Sequence, residues 1–279
     1  MTEPFLNIDL HLHSTASDGA LTPTELVEFV SEQQVQTMAL TDHDTTAGLA
    51  EAKNLAEQKG INFINGVELS TSWEKKTLHI VGLGINPNHA ELQMALSNLY
   101  QQRQLRAEKI AAKLEAKGIS GALEGAQRFA GDGLLARPHF ARYLVEQGYA
   151  KDMQKAFDRY LLKNKPAYVS TAWPQMDVTL NLIRASGGIA VLAHPMRYKL
   201  SKSWQRRLFT AFKSEGGQAI EIVCGRYVPE DIATSAGYAE RFGLMGSVGS
   251  DFHSHTEYGG KPGKLRPLPT HITPVWSLL

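Results

Sequence analysis

The stretch "DLHLHSTASD", residues 9–18, sets His11 and His13 one residue apart in an apolar run and ends on Asp18. Side chains of an extended strand alternate faces, so the two imidazoles project from the same side. The same i, i+2 spacing returns in "SDFH", with Asp251 and His253. Between these lie "TDHD" with Asp42, His43 and Asp44, "NGVELS" with Glu68, "TLHIVG" with His79 and "LAHP" with His194. Imidazole and carboxylate donors without thiolates suit Zn, Mn or Fe. Mg prefers oxygen and water, so this many imidazoles count against it. Nine candidate ligands, namely His11, His13, Asp18, His43, Glu68, His79, His194, Asp251 and His253, exceed what one ion needs. A carboxylate-bridged cluster of two or three ions is the natural arrangement, and such clusters polarise phosphoryl oxygens and generate hydroxide.

Taken singly, most of these residues have plainer readings. Asp18 before Gly19 reads as a turn residue, and Asp42 and Asp44 as helix-capping groups. His79 reads as a hydrogen-bonded core histidine. Taken together the balance reverses. Six of the ten histidines fall in these segments, and several of the polar groups lie at or beyond the C-terminal ends of expected strands.

The elements that must position them are short apolar segments alternating with amphipathic stretches. Seven strands are expected: "FLNIDLHLH", "TMALTDHD", "INFINGVEL", "TLHIVGLGI", "GIAVLAHP", "AIEIVCG" and "LMGSVGSDFH". Helical patterns such as "TPTELVEFVSEQQ" lie between several of them, with Thr22 as N-cap before Pro23. This alternation predicts an α/β fold with a parallel sheet in a closed or nearly closed barrel, its site at the strand C-termini. Residues 99–165 contain no clear strand. "LYQQRQLRAEKIAAKLEAKG", "RPHFARYLVEQG" and "MQKAFDRYLL" read as helices, with Gly118 a stop signal. The expected organisation is a barrel of residues 1–98 and 166–279 with a helical insertion at 99–165 that contributes to substrate binding.

The chain has 279 residues, 43% hydrophobic and 20% charged, which is ordinary globular composition. Its net charge of +1 imposes no global field toward nucleic acid or membrane. A single cysteine, Cys224, allows no internal disulfide and suits a reducing compartment. The N-terminus lacks the basic-then-apolar layout of a signal peptide, and no apolar run reaches the roughly 20 residues of a membrane span. A soluble cytoplasmic protein with no obligate protein partner is expected.

The ordered set "DLHLHSTASDG", "LTDHDTTAG", "NGVELST", "LHIVG", "AHP" and "GSDFH" resembles the PHP (polymerase and histidinol phosphatase) metallophosphoesterases over residues 5–98 and 166–260. The resemblance implies a distorted (β/α)7 barrel with a metal cluster. It is strongest to stand-alone bacterial members with a helical insertion. Those remove the 3′-phosphate of nucleoside 3′,5′-bisphosphates and trim short RNA from the 5′ end. It further implies that His11, His13, Glu68 and Asp251 hold one ion. Glu68 bridges to a second held with His79 and His194, while Asp18, His43 and His253 hold a third. Two or three divalent ions are therefore expected, Mn first, with Zn or Fe also compatible. A hydroxide would attack phosphorus in line, and His194, Asp42 or His253 would protonate the leaving oxygen.

Arginine's fork suits phosphate. "ARPHFAR", which matches a motif of the stand-alone members, offers Arg137 and His139 for the substrate, and Arg197 follows "AHP". "MRYKLSKSWQRRLFTAFK" carries six Lys/Arg and no acid, and reads as a solvated helix face or a guide for an RNA backbone. Tyr198, Trp173 and Tyr227 could stack a base. The basic tail "GGKPGKLRPLP" reads as a loop that could lie over the mouth. The alternative substrate is another small phosphate ester, such as histidinol phosphate. An amide or deaminating hydrolase also uses HxH on a barrel strand, but "TDHD" and "SDFH" argue against it. The complete ligand set argues against a non-catalytic binding module.

Overall fold

The computed structural model describes residues 7–255 and 260–279. Phe5 and Leu6 of the expected first strand, and Gly259 of the tail, lie outside the described residues. Seven strands form one sheet in sequential order: β1 (Ile8–Leu12), β2 (Thr37–Leu40), β3 (Asn62–Trp73), β4 (Lys76–Leu83), β5 (Ile189–Leu192), β6 (Ala219–Cys224) and β7 (Met245–Gly249). The segment after β7 returns to β1, where Asp251 N–H donates to His11 O at 2.8 Å and His13 N–H to Phe252 O at 3.1 Å. These bonds nearly close the sheet into a barrel, with helices α1 (Pro23–Glu32), α2 (Leu49–Gln58), α7 (Met176–Ala185), α8 (Lys202–Ser214) and α9 (Pro229–Phe242) packed outside. Thr22 caps α1 in a reciprocal capping box with Glu25, and Pro23 opens the first turn.

The sheet is mixed, which corrects the all-parallel expectation. β4 runs antiparallel to both β3 and β5, while the other pairs are parallel. β3 and β4 form a hairpin that extends past the end of β2, which pairs only with Asn62–Asn65 of β3.

Helix α3 (Ala90–Glu115) belongs to two cores. Leu92, Leu96 and Leu99 pack on the barrel, whereas Ala107, Ile110, Ala111 and Leu114 join a second apolar cluster that runs to Ala167. Gly118 follows α3 with φ +78°, and Ile119 N–H returns to Leu114 O. The second cluster also takes in α4 (Ala122–Ala130), α5 (Arg137–Glu146) and α6 (Met153–Ala156), the last continuing into a π turn at Phe157–Leu161.

Among the described residues the tail, 260–269, does not line the mouth. Gly260 N–H bonds Ser250 O, Gly263 sits against Gln33, and Pro274 pairs with Gly246 at the start of β7, so the chain descends the barrel wall. Among the described residues no helix is long and apolar enough to cross a membrane.

Candidate metal centre

β1 alternates Ile8, Leu10 and Leu12 with Asp9, His11 and the following His13, so one face is apolar and the other carries the polar groups. Asp9 anchors this face by accepting from Ser250 N–H (2.8 Å) and His11 N–H (3.3 Å). Glu68 lies on β3 just beyond its pairing with β2. Its backbone is held from both sides of "TDHD", as Glu68 N–H donates to Asp42 O and Asp44 N–H to Glu68 O. In the β3–β4 hairpin Ser70 opposes His79, and directly opposed residues share a face. Glu68, two residues from Ser70, therefore shares that face with His79. His194 follows β5 at φ 32° and Asp251 follows β7 at φ 52°, both left-handed. Strand alternation therefore does not set the Asp251/His253 pair; a left-handed residue outside the strand does.

These elements bring all nine expected ligands together. His11 and His13 Nε2 lie 3.0 Å apart. Each is 3.2 Å from Glu68 Oε2, and they stand 3.4 and 3.3 Å from Asp251 Oδ1. On its other oxygen, Glu68 Oε1 is 3.0 Å from both His79 Nδ1 and His194 Nε2. Beyond them His253 Nε2 is 3.4 Å and His43 Nε2 4.0 Å from Asp18. Ligand bonds of roughly 2.1 Å put neighbouring donors about 3.0–3.4 Å apart around one ion, and the His11–His13–Glu68–Asp251 set has that spacing. Glu68 Oε2 is fully buried with three imidazoles within 3.2 Å, yet among the described residues it accepts no hydrogen bond. Buried imidazole nitrogens and carboxylate oxygens converging at these distances fit a cation.

The charges agree. Burial alone would raise the Glu68 carboxyl, but His43, His11 and His79 hold it well below the carboxylate range. Asp251 is likewise opposed by burial and held low by Arg197 and His11. Burial works against charge on His253 too, but Asp18 and Asp251 push it up to about 10. Buried carboxylates of this density require a positive partner.

Above the cluster opens a cavity of about 880 Å³ with Asp18, His43, His79 and His253 on its floor. Its wall carries Arg103, Arg106 and Arg137. Arg103 is neutralised, since Nε donates to Asp44 Oδ2 at 2.8 Å and Nη2 to Ser70 Oγ at 3.0 Å. Arg106 and Arg137 form no ion pair among the described residues and lie over the rings of Trp173 and Phe157. Burial, together with the Arg137 and Arg103 guanidiniums, brings Arg106 down to about 9, and its Nε has no hydrogen-bond partner. Two guanidiniums massed without a counter-ion among the described residues make a seat for an anion. The loop before α5 docks closely on the metal side: a Cβ on Gly133 would come within 2.0 Å of Thr15 O.

The model of the PHP domain matches residues 9–167 of this chain. The chain belongs to the PHP family. It is 45% identical over 274 residues to the 3′,5′-nucleoside bisphosphate phosphatase of Chromobacterium violaceum, covering 98% of this chain and 96% of that one. It is 44% identical over 272 residues to the 5′-3′ exoribonuclease Rnm of Escherichia coli, covering 97% and 92%. A solved Chromobacterium violaceum structure, described as an amidohydrolase with bound sulfate and no metal, superposes at a TM-score of 0.93 with 44% identity, covering 98% and 95%.

Within this PHP site three expectations change. Asp42 faces away from the cavity, with Oδ1 accepting from Ser14 N–H and Ser17 Oγ and Oδ2 from Ser14 Oγ, so it shapes the loop that carries Asp18. His139 is buried at the start of α5, where its Nδ1 accepts from Ala136 N–H at 3.1 Å and caps the helix. Arg197 donates to Asp251 Oδ2 and so supports a candidate ligand rather than facing the cavity. Tyr198 lines the cavity and accepts from His79 N–H, while Trp173 backs Arg103 and Arg106. Tyr227 accepts from Met196 N–H.

Glu221 on β6 was not singled out by the sequence. Its Oε1 lies 2.7 Å from His11 Nδ1, and its Oε2 accepts from His194 N–H. A carboxylate only accepts, so His11 carries its proton on Nδ1 and turns the Nε2 lone pair to Glu68 and Asp251.

His139 gives the fold an acid limit. Burial lowers its imidazole from 6.5 to about 4, so the unfolded chain takes up a proton at higher pH than the folded one. Its contribution is complete above pH 6.5 and is lost as pH falls toward 4, at a cost of about 2 kcal/mol by pH 5. Urea midpoints at pH 7.5 and pH 5 should therefore draw closer in His139→Asn than in the parent. An unchanged gap would show that His139 is not the group responsible.

Proposed function

We propose that this PHP chain hydrolyses the 3′-phosphate of nucleoside 3′,5′-bisphosphates and shortens 5′-phosphorylated RNA from its 5′ end. The observation that carries this reading is the one cavity that holds Arg106 and Arg137, which form no ion pair among the described residues, together with the candidate ligands Asp18, His43, His79 and His253. A substrate with two phosphates fits both ends, one at the cluster and one at the arginines. The names of the relatives and the sulfate in the solved relative agree with an anionic nucleotide ligand.

In this reading His11, His13, Glu68 and Asp251 would hold one ion, Glu68, His79 and His194 a second, and Asp18, His43 and His253 a third. Mn is the first choice of metal. Divalent ions bound there supply charge to the non-bridging phosphoryl oxygens and acidify water. The chain's own residues do the rest. Glu221 and Arg197 orient His11 and Asp251, Asp44 fixes Arg103, and Trp173 backs Arg106. Water adds to phosphorus as the P–O3′ bond breaks, and the 3′-oxygen gains a proton. His194 and His253 would hold ions, and Asp42 is tied to Ser14 and Ser17, which leaves that proton to solvent in the cavity. The helical segment 99–165 supplies the arginine wall. We place the protein in the cytoplasm, where nucleotides and RNA ends occur.

Mn-loaded protein offered adenosine 3′,5′-bisphosphate, p-nitrophenyl phosphate, histidinol phosphate and a 5′-phosphorylated RNA should prefer the bisphosphate. Turnover of histidinol phosphate with the bisphosphate untouched would overturn the reading.

A further inference from the structure

A bisphosphate ends at its 3′-phosphate, but an RNA continues from that phosphate. On the reading above, the first nucleotide's 5′-phosphate sits by Arg106 and Arg137, and the rest of the strand must leave past the cluster. The arginines flank β3, where Arg103 bonds Ser70. The other flank is β4, where His79 lies three residues, about 10 Å of extended strand, from Lys76 at the hairpin tip.

That tip is built as a cationic step. Glu74 and Lys75 form a tight two-residue turn with φ 47° and 62°, and Lys75 and Lys76 line the cavity. Lys76 Nζ stands 4.6 Å from the ring centre of Trp204 on α8, and Arg207 Cζ stands 4.6 Å from the same ring. Past this ring opens a second cleft of about 520 Å³, lined by Trp73, Glu74, Ser203, Arg206, Arg207 and Thr210. Lys202, Arg206 and Arg207 are exposed, and α8 contains no acidic residue. The carboxylate in the cleft is Glu74, paired with Arg207. The hairpin tip thus offers Lys75 and Lys76 and the exposed face of α8 offers Lys202, Arg206 and Arg207, with Glu74 paired to Arg207, on a chain whose net charge is only +1.

We infer that the β3–β4 hairpin tip and the exposed face of α8 form the track for the downstream strand of a single-stranded RNA whose 5′ nucleotide occupies the catalytic cavity. The cations neutralise backbone phosphates and read no sequence. The track is used only by a substrate long enough to pass the hairpin tip, so it separates RNA from free nucleotide without altering the reacting centre.

The test is the Lys202→Ala/Arg206→Ala double variant, whose side chains are exposed and lie outside the catalytic cavity. Each phosphate contact on a single strand contributes about 0.7 to the salt slope, or about 5-fold in affinity at 0.1 M salt. The variant should bind a 12-nucleotide 5′-phosphorylated RNA about 25-fold more weakly and flatten the dependence of log affinity on log salt by about 1.4. Anisotropy on metal-free protein reads this without cleavage. KM for the same RNA should rise in parallel on Mn-loaded protein. Turnover of adenosine 3′,5′-bisphosphate should stay within about two-fold, and so should KM for a 5′-phosphorylated dinucleotide. Equal RNA affinity in variant and parent overturns the track, as does equal weakening of the dinucleotide and the long RNA. Failure of the parent to turn over the bisphosphate would instead overturn the function proposed above.

Discussion

Glu68→Gln should lose both metal and activity. The substitution keeps the shape of the side chain and removes the charge that both imidazole sets face. Oε2 is ringed by His11, His13 and His43, and Oε1 by His79 and His194, so one residue serves two ligand groups. Ions that stabilise phosphoryl charge contribute several kcal/mol, so a fall in kcat/KM on the order of 10³-fold or more is expected. Elemental analysis should show the loss of at least one ion per chain. Thermal unfolding supplies an independent readout. Ligand at 1,000 times its Kd stabilises a protein by about 4 kcal/mol, so added Mn should raise the Tm of the parent and barely move that of the variant. Normal metal content in Glu68→Gln would contradict the bridging assignment, whatever the activity.

Arg106→Met and Arg137→Met should each weaken turnover of the bisphosphate while sparing a substrate with a single phosphate. A hydrogen bond to a charged group contributes about 1.5–3 kcal/mol, or about 10–100-fold in kcat/KM. p-Nitrophenyl phosphate lacks the second phosphate and should change little. Stability should move the opposite way. In the absence of an anion Arg106 is half-buried beside Arg137 and Arg103, which oppose its charge. Replacing it by an apolar side chain of similar length should stabilise the protein by on the order of 1 kcal/mol. Such a trade is expected where a site holds like charges together for a ligand. Equal losses on both substrates, or a destabilised variant, would show that these arginines support the fold rather than bind phosphate.

The convergence of the candidate ligands was legible because a polar cluster inside an apolar barrel constrains residue type strongly. His11 and His13 follow from strand alternation alone, and the structure places them 3.0 Å apart. Asp251 and His253 reach the cluster by a different route from the one alternation predicts, because Asp251 leaves the strand in a left-handed conformation that alternation does not describe. The reversal of β4 was hidden by its turn. Tight hairpins usually advertise themselves with Asn-Gly or Asp-Gly, whereas here Glu74 and Lys75 take the positive φ angles. Arg103 and Arg106 look in the sequence like charges on a solvated helix. Only the packing of α3 along the barrel turns them into the cavity. Glu221 left a usable trace, as a lone acid inside the apolar strand "AIEIVC", all of whose residues are buried. His139 was misread because a histidine in a motif beside arginine suggests substrate, while its geometry makes it a helix cap.

The most direct measurement is the product formed from adenosine 3′,5′-bisphosphate by the Mn-loaded protein. Adenosine 5′-monophosphate and inorganic phosphate in equal amounts, both abolished by Glu68→Gln, are the predicted result. Adenosine 3′-monophosphate as the product, or intact bisphosphate after exhaustive incubation, would contradict it.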